Sequence, residues 1–190
     1  ANEIKYNYFH DIKTKVSGGS QGIFAVYCDG GLQEMYVVGN VFENIGGGCV
    51  FINGGPYSVA YNNIMINCNG AYVLIACEAG NTRRLSLHYE KFNKEPYIKT
   101  SEKWKQELPQ FAEFIEKSDT DKGFPTDNIF AKNLMYKTPM LYEDGKDTTK
   151  WVDISENLES NGDPGFVDLA NRDYNLKPDA AVFSRLPGFK

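Results

Sequence analysis

The chain has 190 residues, enough for one domain with its own core, and 42% of them are hydrophobic, which excludes an intrinsically disordered chain. A net charge of −5 and a pI near 5.1 leave neither a basic stripe for nucleic acid nor a polybasic patch for a membrane surface. No apolar run approaches the ~20 residues that span a bilayer, and Ala1-Asn2-Glu3-Ile4 lacks the basic-then-apolar order of a signal peptide.

In chain order, Asn7-Tyr8-Phe9 opens a motif of Asn followed by two apolar residues. It returns as Asn40-Val41-Phe42, Asn63-Ile64-Met65 and Asn133-Leu134-Met135, at intervals of 33, 23 and 70 residues. A fixed interval of 23 reads as one turn of a solenoid. The polar, Gly-rich stretch Thr14–Gln21 accounts for the ten extra residues of the first interval, and a large excursion accounts for the third. A second strand family runs beside the first. Ile23–Tyr27 precedes Asp29-Gly30-Gly31, Cys49–Ile52 precedes Asn53-Gly54-Gly55, and Tyr72–Ala76 precedes Glu78-Ala79-Gly80. Short Val/Ile/Phe-rich strands suit a parallel sheet, and stacked turns bury jointly what one turn cannot bury alone. Asn at equivalent corners can bond up the stack.

From 81 to 127 the pattern breaks. Trp104, Leu108, Phe111 and Ile115 fall on one helical face, Thr100-Ser101 offers a cap, and Pro109 divides the stretch into two short helices. This reads as a lid packed on the coils rather than a partner-binding element. Asn128–Leu134 resumes the repeat, and Trp151–Ile154 reads as one more strand. The expected fold is an all-β, right-handed parallel β-helix, a single-stranded solenoid with a short helical excursion. It forms one domain over 1–190: regular coils to 80, the excursion over 81–127, and the last coils with a tail over 128–190.

Cys28, Cys49, Cys68 and Cys77 are even in number, which permits disulfides, but all sit in or beside apolar runs, none in a C-x-x-C pair, and read as buried free thiols rather than zinc ligands.

The stretches Asn7–Ile12, Gly39–Phe42, Asn53–Gly55, Tyr61–Ile64 and the closing Asp163-Pro-Gly-Phe-Val-Asp168 with Asp173–Pro178 resemble bacterial right-handed parallel β-helix repeat proteins of the pectate-lyase-like superfamily. More narrowly they resemble a branch with fucosidase- and xylanase-type glycoside hydrolases. That resemblance implies a secreted, periplasmic or cell-surface carbohydrate-active protein acting on polysaccharide or oligosaccharide. It also implies further coils and a cap upstream, so the chain is expected to be a C-terminal portion or to dock on another chain. Cys28 stands where the branch carries a second acid, and Glu78-Ala79-Gly80 stands where it carries an Arg-containing turn.

Such folds use the solvent face of one sheet as a groove. Asp29 and Glu78, counted two coils apart, would stand about 10 Å apart at the backbone, within side-chain reach of an inverting glycosidase pair. Either could be the acid and the other the base. Against this stands a structural role, with Asp29 capping the Gly30-Gly31 amides. His10, Tyr27 and Asn53 are candidate sugar contacts, as are Arg83 and Arg84, whose guanidinium forks match a uronate carboxylate. Tyr57, Tyr72 and Trp104 read as packing rather than sugar platforms. Hydrolysis by a carboxylate pair asks for no cofactor. Ca²⁺ enters only with a lyase, ranked lower because no acidic triad is visible. A non-catalytic glycan-binding or structural module is the alternative from another class.

Overall fold

The computed structural model describes residues 2–13, 23–75, 102–116, 125–140 and 149–189. Sheet A runs in the order β1 (Asn2–Lys5), β4 (Met35–Val38), β7 (Val59–Tyr61), β10 (Asn128–Ala131) and β12 (Val152–Ser155). Sheet B holds β2 (Tyr8–His10), β5 (Val41–Glu43), β8 (Ile64–Ile66), β11 (Leu134–Tyr136) and β13 (Leu158–Ser160) in the same order. Sheet C holds β3 (Val26–Cys28), β6 (Val50–Asn53) and β9 (Tyr72–Ile75). Every pairing in these three sheets is parallel, and the described residues are mostly strand with few helices, consistent with the all-β expectation. The first three coils give one strand to each sheet. The last two give strands to A and B.

The strand count per coil differs from the sequence expectation of two. Sheets A and B merge into one apolar run on paper because only two residues separate them. Those two residues make the corner. Tyr6, Gly39, Asn62, Lys132 and Glu156 all have φ between 51° and 66°, the left-handed region, and each precedes an Asn. The non-glycine members carry a backbone cost of about 1–2 kcal/mol each, offset by what the next residue does. Asn7, Asn40, Asn63 and Asn133 each donate both backbone N–H and Nδ2–H to the side-chain oxygen one coil on, at 2.9–3.1 Å. Asn40, Asn63, Asn133 and Asn157 each also donate Nδ2–H to a carbonyl of the preceding coil, those of Ile4, Val37, Ala60 and Phe130. Asn157 is a rung that the sequence motif misses, because a glutamate follows its Leu158.

The sheets enclose one core. Val37 and Ala60 of sheet A, Phe42 and Met65 of sheet B, and Ile52 and Leu74 of sheet C belong to the same buried cluster. Cys28, Cys49 and Cys68 are buried free thiols in it, as expected; Cys77 lies outside the described residues. Burial pushes the Cys28 thiol up to about 11. Tyr72, Tyr57 and Trp104 are buried, in keeping with packing roles.

Helices α1 (Lys103–Glu107) and α2 (Pro109–Glu116) flank the expected break at Pro109. Glu102, not Thr100 or Ser101, occupies the cap position, without a side-chain cap bond. Leu108 lies between the helices with φ −131° and is exposed, so it leaves the predicted apolar face. No helix among the described residues is long and apolar enough to cross a membrane.

The C-terminal tail forms elements that periodicity does not announce. β14 (Phe166–Asp168) pairs antiparallel with β15 (Asp173–Leu176), and helix α3 (Val182–Arg185) follows. Asp163 Oδ1 starts the hairpin by accepting from the N–H groups of Gly165 and Phe166, both at 2.9 Å. Phe166, Tyr174, Val182 and Leu186 then pack with Ile66, Leu134, Tyr136 and Leu158 in a second core. Sheet B is therefore covered on its outer face as well as its inner one.

Candidate functional site

The first candidate lies at the end of sheet C. Tyr27 points outward from β3 and is 52% exposed, with its ring centroid 4.5 Å from Phe51 and 5.9 Å from Phe24. Cys28 pairs with Ile52, so Asp29 and Asn53 follow as neighbours one coil apart. Asn53 Nδ2 donates to Asp29 Oδ1 at 2.8 Å, and the Gly30 N–H donates to the same oxygen at 2.8 Å. Gly30 and Gly31 have φ of 63° and 80°, which lets the chain turn tightly behind the carboxylate. The edge thus presents an exposed aromatic ring, a carboxylate and an amide side by side. In the next coil the register places Ile75 opposite Asn53, so the position equivalent to Asp29 is Ile75 and not Glu78, three residues further on. Glu78, Arg83 and Arg84 lie outside the described residues.

The second candidate is on the outer face of sheet B, under the hairpin. There β2 and β5 pair in register, with Tyr8 against Val41 and His10 against Glu43. Glu43 is 7% exposed. Its carboxylate accepts from the Tyr8 hydroxyl through Oε2 and from Asn44 Nδ2 at 3.3 Å, and its Oε1 forms an ion pair with Arg172 Nε at 3.4 Å. Asp11 Oδ2 accepts from Arg172 Nη2 at 3.1 Å and faces His10 Nδ1 at 3.0 Å, while Asp11 Oδ1 takes Asn44 Nδ2 at 2.9 Å. Asn67 in turn donates to Asn44 Oδ1 at 2.7 Å. The contacts with His10, Asn44 and Arg172, in that order of weight, hold the Asp11 carboxyl well below the usual carboxylate range. Burial first, then Glu43, pushes the Tyr8 and Tyr174 hydroxyls up. Beside this network an open cavity of about 290 Å³ is lined by Tyr8, Val41 and Ile64 from sheet B and by Arg172, Asp173, Tyr174 and Asn175 from the hairpin.

The structure therefore separates the predicted contacts. Tyr27, Asp29 and Asn53 come together on sheet C. His10, stacked on Tyr8 at 4.6 Å, belongs to sheet B and its network. Sequence reasoning passed over Tyr8, Asp11, Glu43 and Asn44, although the repeat itself carries the signal. Laying Asn7-Tyr-Phe-His-Asp11 on Asn40-Val-Phe-Glu-Asn44 puts His10 beside Glu43 and Asp11 beside Asn44. Arg172 and Tyr174 had no such signal, because the tail belongs to no repeat. Compared with protein-family models, curated proteins and solved structures, the chain gives no match in any of the three.

Proposed function

We propose that this chain is a right-handed parallel β-helix that acts on carbohydrate outside the cytoplasm, as a glycoside hydrolase of polysaccharide or oligosaccharide. The observation that carries the reading is the sheet C edge, where Tyr27, Asp29 and Asn53 project from adjacent coils. An exposed aromatic face takes the C–H face of a sugar ring, and amide and carboxylate oxygens take its hydroxyls. Asp29, exposed at this edge, is one member of the proposed carboxylate pair. Glu78, outside the described residues, is proposed as the other member, and either of the two is the acid and the other the base. In the reaction one carboxylate draws a proton from a water, the water oxygen bonds the anomeric carbon as the glycosidic bond breaks, and the other carboxyl protonates the departing glycosidic oxygen, with inversion. This chemistry needs no metal.

The two hydrogen bonds on Asp29 Oδ1 favour a second reading, a glycan-binding module in which Asp29 closes its turn and does no chemistry. One experiment separates them. The full chain is incubated with plant cell-wall polysaccharides and assayed for new reducing ends, beside Asp29→Asn and Glu78→Gln. Hydrolysis predicts product from the native chain and at least a hundred-fold loss in each variant. Unchanged rates in both variants remove the pair. Glycan retention with no product from the native chain selects the binding module.

A further inference from the structure

We infer that the cavity between sheet B and the C-terminal hairpin is a second saccharide site, which takes a single neutral sugar ring. The inference deepens the carbohydrate reading and rests on it.

The cavity's size and lining set the class of ligand. About 290 Å³ holds one ring and little more. Its floor is apolar, made by Val41 and Ile64, neighbours in register on β5 and β8. Tyr8 forms a wall with a ring that is 44% exposed and stacked on His10, so one face is fixed in place before any ligand arrives. Pre-set aromatic and aliphatic surfaces suit the C–H face of a sugar. Polar groups stand on the hairpin side. Asp173 Oδ1 accepts from the backbone N–H of Asn175 at 3.1 Å and from its Nδ2 at 2.7 Å. That pairing leaves Asp173 Oδ2 and Asn175 Oδ1 as acceptors, which calls for a ligand that donates.

Charge narrows the choice further. Arg172 is the cation of the lining, and Asp11 and Glu43 already engage its Nη2 and Nε. It has no uncompensated charge for an anion, and Asp173 opposes one. An ammonium would gain only the attraction of a solvated carboxylate, which is weak. Hydroxyl groups match the acceptors without a charge to desolvate.

The test is a titration of the ¹⁵N-labelled full chain with D-glucose, D-xylose and D-galactose, with D-galacturonate as the anion and D-glucosamine as the cation. A neutral sugar is expected to shift the amides of Val41, Ile64 and residues 172–175. Tyr8→Ala and Asn175→Ala are expected to raise Kd at least tenfold, and Tyr8→Phe, which keeps the ring, less than threefold. Asp29→Asn should leave this Kd within twofold, so failure at sheet C and failure here are read on different signals. Amide dispersion matching the native spectrum shows that each variant folds. The proposal is overturned if no neutral sugar shifts those amides, if galacturonate or glucosamine binds more tightly than every neutral sugar, or if Tyr8→Ala and Asn175→Ala leave Kd unchanged.

Discussion

Arg172 Nη2 and Asp11 Oδ2 lie 3.1 Å apart although 161 residues separate them in the chain. The contact ties the turn of the tail hairpin to the first coil, and Arg172 holds it from a left-handed backbone position, φ 62°. A glycine would adopt that angle freely. An arginine there accepts a local cost for its side chain's placement.

Acid should loosen this tie before the coils. His10, Asn44 and Arg172 depress the Asp11 carboxyl. The N–H groups of Phe166 and Gly165 depress that of Asp163, and Asn171 depresses that of Asp168. A carboxyl whose folded pKa is lowered adds stability that is complete above its unfolded value, 3.8 here, and is lost as pH falls toward the folded value. The unfolding midpoint in urea should therefore hold steady from pH 7 to about 5 and drop below about 4. The Asp11→Asn midpoint should lie below the native chain's at pH 7 and fall less on acidification. An equal fall in both proteins would remove Asp11 from the account.

The asparagine ladder should be steeply position-dependent. Asn63 is fully buried, accepts from Asn40 N–H and Nδ2, and donates to Val37 O and to Asn133 Oδ1. Asn63→Ala strands several of these groups away from water and should cost about 3 kcal/mol or more. Asn63→Asp is expected to do no better, since it turns acceptors toward acceptors. Asn7 stands at the exposed end of the ladder, so Asn7→Ala should cost about 1 kcal/mol or less. Equilibrium denaturation of both variants settles the ranking, and equal losses would contradict it.

Gly55 should be irreplaceable for a reason of space. A Cβ there would sit 1.8 Å from the carbonyl oxygen of Leu32, a backbone atom that cannot swing aside. Gly55→Ala is expected to cost about 3 kcal/mol or to prevent folding. At Gly162 an added Cβ meets nothing within 4 Å, and Gly162→Ala should be neutral or slightly stabilising. Thermal melts of the two alanine variants are the check. A Gly55→Ala melt within a degree of native would refute the clash.

Much of the coil stack was legible in the sequence because a repeat is a long-range signal written locally. Asn7, Asn40, Asn63 and Asn133 mark four of the ladder's five corners by type alone. The left-handed residue ahead of each was not legible, since Tyr6, Gly39, Asn62, Lys132 and Glu156 share a backbone angle and no chemistry. Hence sheets A and B look like one strand family in the sequence. At the sites, Asp29 and Asn53 were placed together because both end a repeated strand. The network around Glu43 depends half on the hairpin, which docks through Phe166 and Tyr174 without periodicity. A pairing such as Arg172 with Asp11 cannot be found by counting intervals.

The ladder has a direction. Asn40, Asn63 and Asn133 each send a backbone N–H and an Nδ2–H to the side-chain oxygen of the next coil, accept the same pair from the coil before, and return the other Nδ2–H to a carbonyl of that earlier coil, so each coil offers its neighbour the same pattern of protons and lone pairs. Deleting or duplicating the coil from Asn40 to Asn63 would bring together surfaces that already match. The long stretch between Asn63 and Asn133 shows the same tolerance in the native chain, since their bonds keep the lengths found elsewhere in the ladder. The protein is in this sense modular: its length can change by whole coils, or by outgrowths between corners, with the rest of the stack left in register.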